Sequence, residues 1–432
     1  MKNALSVKSM PYRPQSNRPD QGQNFDETVR NRRKERSPIF VAKFRNCVRP
    51  SSDSGGFCSL DACRTNPRGD RRTGGHPDVP DLPAIRGVPG SGPQEGYPID
   101  RPVRRLTLAS SVSTLTTPWV QEIPATLQNI PLPEEPAGFV DFWRQTYFAA
   151  REIDLQLSVR QSESDRADTD VYEIAFNAWG EVRIGGWLTR PSDGSIPPCG
   201  VVHSHGYGGR SGPDYDVHGP PAVRIFPCAR GFDRSRHPDL PSQAAFHVIH
   251  GIHRRETYLH RGCVTDIWGA ASALLELFPE LSSNLCYCGA SFGGGMGALA
   301  VPWDHRFRRA FLDVPSFGNH PIRLQTPCTG SGQAVRILHA RKRGISEVLA
   351  YFDAAISARY FSTPVFVAAA LEDPGVPPAG QFSVYQAIPG QKVLYLRISG
   401  HPYDERDAAP LTAALKEWWR NESAPESVRA PE

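Results

Sequence analysis

Residues 285–297 read LCYCGASFGGGMG, an apolar strand-like run that passes through Gly289-Ala290-Ser291-Phe292-Gly293 into more glycine. A strand that ends this way and opens directly into a helix must turn within one residue. The serine then adopts a strained conformation that lifts its hydroxyl above the sheet edge. Glycine at 289 and 293 removes the Cβ atoms that would keep strand and helix from packing against the turn. The first N–H groups of the following helix stay free, and its positive dipole end faces the same point, which suits a developing oxyanion.

The surrounding chain alternates strands and helices. CGVVHSHGYGG and AVRIFPCARGFDRS each read as a strand running into a loop. YLHRGCVTDIWGAASALLELFPE reads as a long amphipathic helix, with Val264, Ile267, Trp268, Ala271 and Leu274 at helical spacing. Strands are predicted in NLCYCGAS, RRAFLDVPSF, TPVFVAAALED and KVLYLRISGH, and helices in FGGGMGALAVPW, SEVLAYFDAAISARYF, PAGQFSVYQAI and PLTAALKEWWRN. Earlier, Phe139, Phe142, Trp143, Tyr147 and Phe148 form one helical stripe, and DVYEIAFNAWGEVRIGGWLTRPS reads as a hairpin. Apolar strands without clean alternation, separated by helices, predict a mostly parallel, doubly wound α/β sheet covered on both faces.

Strand, Gly-x-Ser-x-Gly and helix together are the nucleophile elbow of the α/β-hydrolase fold. A serine hydroxyl does not ionise usefully near neutrality, so it needs a base, and the base needs an orienting carboxylate. The fold supplies them in the chain order serine, acid, histidine, at the carboxyl ends of later strands. VFVAAALED ends in Asp373 and VLYLRISGH in His401, which makes Ser291, Asp373 and His401 the expected triad. Asp313, at the end of RAFLD, is the rival carboxylate, and Glu372 is another. Backbone N–H groups of Phe292 and of Tyr207, in the glycine-rich loop HGYGG, are the expected oxyanion donors.

Other chemistries fit less well. His203, His205, His247, His250 and His253 invite a zinc site, but no carboxylate or cysteine completes a ligand set, so no metal or cofactor is expected. Nine cysteines show no paired spacing, which argues against a disulfide framework, and Cys286 and Cys288 read as small core residues on one strand face. The net charge of +4 is too weak to argue for nucleic acid or a membrane surface. MKNALSVKSMPYRPQ carries no apolar leader segment, so a cytoplasmic location is expected. Residues 1–125 are rich in Arg, Pro and Gly without periodicity and are expected to be a disordered extension, followed by a catalytic domain over 126–424 and a disordered tail over 425–432.

FVDFW, GGWLTRP, HGYGG, HVIHGI, GASFGGGMGALA, FLDVPSFGNH, LAYFDAAISA and HPYD occur in this order between about Pro131 and Trp419. In this the chain resembles the acetyl xylan esterase and cephalosporin C deacetylase family of α/β-hydrolases. The resemblance implies a serine esterase that removes short acyl groups, chiefly acetyl, from sugar hydroxyls. It implies the same triad and oxyanion donors, no cofactor, and a homo-oligomer, often a hexamer whose sites face an internal chamber. The chain departs from the family pattern at Phe232 and Phe292, where glutamine is usual, and at Pro402, where glutamate is usual. The aromatic beside the nucleophile is expected to alter the acyl or alcohol pocket. The competing readings are a peptidase of the same fold and a non-catalytic binding protein with a basic N-terminal arm.

Overall fold

The structure, a computed structural model, describes residues 112–116, 123–215, 219–397, 400–402 and 405–421. Ten strands form one sheet: β1 (Val112–Thr116), β2 (Ser158–Ser162), β3 (Thr169–Ala178), β4 (Val182–Pro191), β5 (Gly200–Ser204), β6 (Val223–Pro227), β7 (Leu285–Ala290), β8 (Phe307–Asp313), β9 (Val365–Ala370) and β10 (Lys392–Arg397). Their order is β1-β10-β9-β8-β7-β5-β6-β4-β3-β2. From β1 to β6 neighbouring strands run parallel, and β4, β3 and β2 add an antiparallel wing. The hairpin expected around Asn177–Gly180 is β3–β4, closed by a single turn over Trp179–Glu181 in which Gly180 takes φ 72°.

Strand alternation sends the side chains of the central strands to separate cores on the two faces of the sheet. Leu285 and Tyr287 of β7 join the larger one, together with Val264, Trp268 and Leu274 of the helix Leu259–Leu277. Cys286 and Cys288 point to the opposite face, against Leu411, Leu415 and Trp418 of the C-terminal helix Glu405–Asn421. With both faces covered, the central strands have no solvated side, which is why their sequences lack polar alternation.

Three expectations need correction. Val112–Thr116 lies inside the stretch read as disordered, yet its backbone pairs in parallel register with β10 from Val112↔Lys392 to Thr116↔Leu396. Apart from that strand and residues 123–125, the 1–125 stretch falls outside the described residues, as does 425–432. The helix expected over SEVLAYFDAAISARYF is broken into Ile345–Ala350 and Ala354–Ser357. Asp353 interrupts it because its carboxylate accepts N–H bonds from Ala355 and also from Asn319 and His320 of a distant loop. The last helix begins at Glu405, ahead of Pro410, which it carries inside.

The carboxyl edge of the parallel strands is held by one buried ion pair. Arg397, fully buried at the end of β10, places Nη1 3.0 and 3.2 Å from the two oxygens of Asp313 at the end of β8. Its Nη2 donates to the carbonyls of Gly400 at 3.2 Å and Pro402 at 3.0 Å. Removing one member of such a pair strands the other charge away from water. Asp313→Ala should therefore lower unfolding free energy by about 3–5 kcal/mol, read from urea titrations against wild type. A loss below about 1 kcal/mol, the scale of an exposed pair, would contradict this role.

Candidate active site

Ser291 stands between β7 and the helix Phe292–Ala300 with φ 54° and ψ −112°, a conformation that costs an L-residue on the order of 1–3 kcal/mol. Backbone bonds on both sides hold it there. Its N–H donates to the Asp313 carbonyl at 2.9 Å, and its carbonyl accepts from Gly295 N–H at 3.0 Å and Ser316 N–H at 3.1 Å. A Cβ on Gly289 would lie 2.7 Å from the Gly293 backbone, and one on Gly293 would lie 2.9 Å from the His205 carbonyl oxygen. The glycines around the hydroxyl thus serve both purposes at once, a sharp turn and close backbone approach.

The Ser291 corner opens on a cleft of about 600 Å³ that is also lined by Gly206, Tyr207, Arg323, Gly375 and His401. His401 Nδ1 lies 2.9 Å from Asp373 Oδ2. A carboxylate only accepts, so Nδ1 carries the proton and a neutral ring presents a lone pair at Nε2. Asp373 Oδ1 accepts from the N–H groups of Gly375 and Val376, both at 2.8 Å, and Oδ2 also accepts from Gln381 Nε2 at 3.0 Å. Burial pushes the Asp373 carboxyl up, but the His401 and backbone bonds outweigh it and hold the group below its ordinary value. It therefore stays ionised beside the imidazole. The rival acids are elsewhere: Asp313 is engaged by Arg397, and the Glu372 side chain is exposed.

The loop after β5 passes over the serine. A Cβ on Gly206 would lie 3.6 Å from Ser291 Cβ, which brings the following peptide, that of Tyr207, close to Ser291. Phe292 opens the helix, where N–H groups lack intrahelical acceptors. Two buried histidines shape this loop. His205 Nε2 accepts from Ala229 N–H at 2.9 Å, so Nδ1 donates to the Gly206 carbonyl at 2.6 Å. His247 Nε2 lies 3.0 Å from the Arg230 carbonyl and must donate, which leaves Nδ1 to accept from the Tyr207 hydroxyl at 3.3 Å. The Tyr207 oxygen in turn accepts from His260 Nε2 at 3.1 Å. Burial pushes His205 and His247 down to about 4 and His260 well below its ordinary value, so all three rings are neutral.

The Phe292 ring does not line the cleft as expected. It is buried against Tyr207, with ring centroids 4.3 Å apart, and against His247, His260 and Phe317. It reaches the cleft only through its contact with Tyr207, which does line it. Phe232 packs on the same cluster, whereas Pro402 does line the cleft. Sequence reading missed Gln381, Arg397 and the Tyr207–His247–His260 chain. HVIHGI did flag His247, though as a metal candidate. Among the described residues no three His, Cys, Asp or Glu side chains come together as a metal site would require.

The family model described as acetyl xylan esterase (AXE1) matches residues 128–407. Among solved structures, the acetyl xylan esterase from Paenibacillus sp. R4 is similar with a TM-score of 0.61 at 19% identity, over 68% of this chain and 99% of that one. Acetyl xylan esterase 1 from Thermoanaerobacterium sp. JW/SL YS485 is similar with a TM-score of 0.59 at 18% identity, over 69% of this chain and 100% of that one. At such identities the structural likeness speaks for an α/β-hydrolase fold, and the family model, spanning most of the chain, speaks for descent. The chain belongs to the acetyl xylan esterase family of carboxylic ester hydrolases.

Proposed function

We propose that the protein hydrolyses acetyl esters of sugar hydroxyls through an acyl-enzyme on Ser291. The observation that carries this reading is the His401–Asp373 pair at 2.9 Å opening on the same cleft as the strained Ser291. His401 Nε2 takes the Ser291 hydroxyl proton as the oxygen attacks the ester carbonyl. Asp373 fixes the ring orientation and stabilises the imidazolium that forms. The N–H groups of Tyr207 and Phe292 receive the oxyanion, a contribution of about 3 kcal/mol for each donor in comparable sites. His401 then protonates the departing sugar oxygen. Water enters and gives a proton to His401 as its oxygen attacks the acyl carbonyl; the acyl-serine bond then breaks, His401 returns the proton to Ser291 Oγ, and acetate leaves.

Acetate release from acetylated xylo-oligosaccharides, measured on purified protein, tests the substrate assignment directly. Ser291→Ala and His401→Ala should each lower kcat by roughly a million-fold, and Asp373→Asn by roughly ten-thousandfold, with unchanged circular dichroism. Ordinary turnover in either alanine variant would refute the catalytic roles of Ser291 and His401.

The same reading requires the Tyr207 loop to stay seated, and neutral His205 and His247 hold it. In the unfolded chain these rings titrate near 6.5, above their folded values of about 4. Below pH 6.5 the unfolded state therefore binds more protons, so stability is full above that pH and declines as pH falls towards 4. Each ring accounts for roughly 3 kcal/mol over that window. Urea titrations from pH 7 to pH 4 should show the decline, and a flat stability profile would mean that the rings are not neutral in the folded protein.

A further inference from the structure

Arg323 lines the same cleft as Ser291 and His401 and is only 7% exposed. No carboxylate among the described residues pairs with it. Its Nε is buried without a hydrogen-bond partner. Asp353, the one carboxylate whose charge acts on it among the described residues, is engaged by the N–H groups of Asn319, His320 and Ala355. The guanidinium lies 5.2 Å from the Phe317 ring centroid, which orients the fork without neutralising it. Glycines clear the slot in which the side chain lies: a Cβ on Gly332 would approach Nη2 to 2.9 Å, and one on Gly380 would approach Cδ to 3.3 Å. The segment leading to it is strained, with positive φ at Val314, Phe317 and Asn319. No Asp or Glu is found among the described residues lining the cleft.

A buried cation without a counter-charge is costly, and a neutral sugar hydroxyl does not repay that cost. A carboxylate does, because its two oxygens match the planar donor fork. We infer that Arg323 is a specificity-determining residue that binds a carboxylate carried by the ester substrate close to the scissile bond. That carboxylate belongs either to the sugar, as in an acetylated uronic acid, or to the acyl group, as in a half-ester of a dicarboxylic acid. The inference rests on the serine-esterase reading and specifies the substrate class of the same site. Burial also depresses the Arg323 pKa, in keeping with a charge that lacks a partner in the free protein.

Two matched pairs of esters test it. On the acyl side, 4-nitrophenyl hydrogen succinate is compared with its methyl ester. On the alcohol side, an acetylated methyl glucuronide is compared with its methyl ester. In the wild type one pair should favour the charged member in kcat/KM by roughly ten- to a hundredfold, and the pair that does so identifies the source. In Arg323→Gln that ratio should fall to about one. Should the variant not fold, wild-type inhibition replaces it: glucuronate or succinate should inhibit hydrolysis of 4-nitrophenyl acetate at least tenfold more strongly than glucuronamide or succinamide. Equal rates within both pairs in the wild type, a ratio that survives in Arg323→Gln, or equal inhibition by acids and amides would each overturn the assignment. Failure to hydrolyse any ester, 4-nitrophenyl acetate included, would remove the esterase reading and this inference with it.

Discussion

Asp313 connects the two halves of the site. Its backbone carbonyl receives the Ser291 N–H and helps to hold the serine at a φ that an L-residue avoids. Its side chain meets Arg397, whose other terminal nitrogen binds the carbonyls flanking His401. One aspartate therefore fixes the positions of Ser291 and His401 relative to the same three strands. A buried pair of this kind adds little net stability compared with apolar packing, but it makes other arrangements of the strand ends expensive. The rigidity matters because an acyl transfer tolerates little misplacement of the reacting groups.

The loop that faces the serine is fixed by a different device, a set of neutral hydrogen bonds in which each histidine has one permitted tautomer. The Ala229 N–H and the Arg230 carbonyl are backbone groups and cannot exchange donor and acceptor roles. They impose the proton positions on His205 and His247, and through His247 on the Tyr207 hydroxyl. The Tyr207 peptide is thus oriented before any substrate arrives. Donors placed in advance spend no reorganisation energy when negative charge develops.

Much of this was legible in the sequence. Ser291, Asp373 and His401 lie one, three and four residues past the ends of β7, β9 and β10, so local pattern and chain order together picked them out as candidates. Choosing between Asp313 and Asp373 was harder, because one ends β8 and the other closely follows the adjacent parallel strand β9. The choice is made by Arg397 on β10, a contact 84 residues from Asp313 with no local signature. The helix over 346–361 failed for a similar reason, since Asp353 is recruited by Asn319 and His320 rather than by its own helix. Strand β1 has no amphipathic period to announce it, and its pairing partner lies near the other end of the chain. Phe292 was located correctly, but the direction of its ring depends on helix placement, which spacing does not specify.

The polar groups around the cleft divide into two kinds. Asp373, Asp353, Asp313, His205 and His247 have their hydrogen-bonding capacity consumed by the protein itself, and they set geometry. Ser291, His401 and Arg323 line the cavity instead. The His401 side chain keeps 34% exposure although its Asp373 partner is fully buried. A buried group left unsatisfied usually costs the fold more than a satisfied one returns. Such a group, held in position by strained backbone and by glycines that make room for it, is where a ligand gains most by binding. In the proposed reaction that gain drives bond cleavage at Ser291 and His401. In Arg323 it selects which ester reaches them.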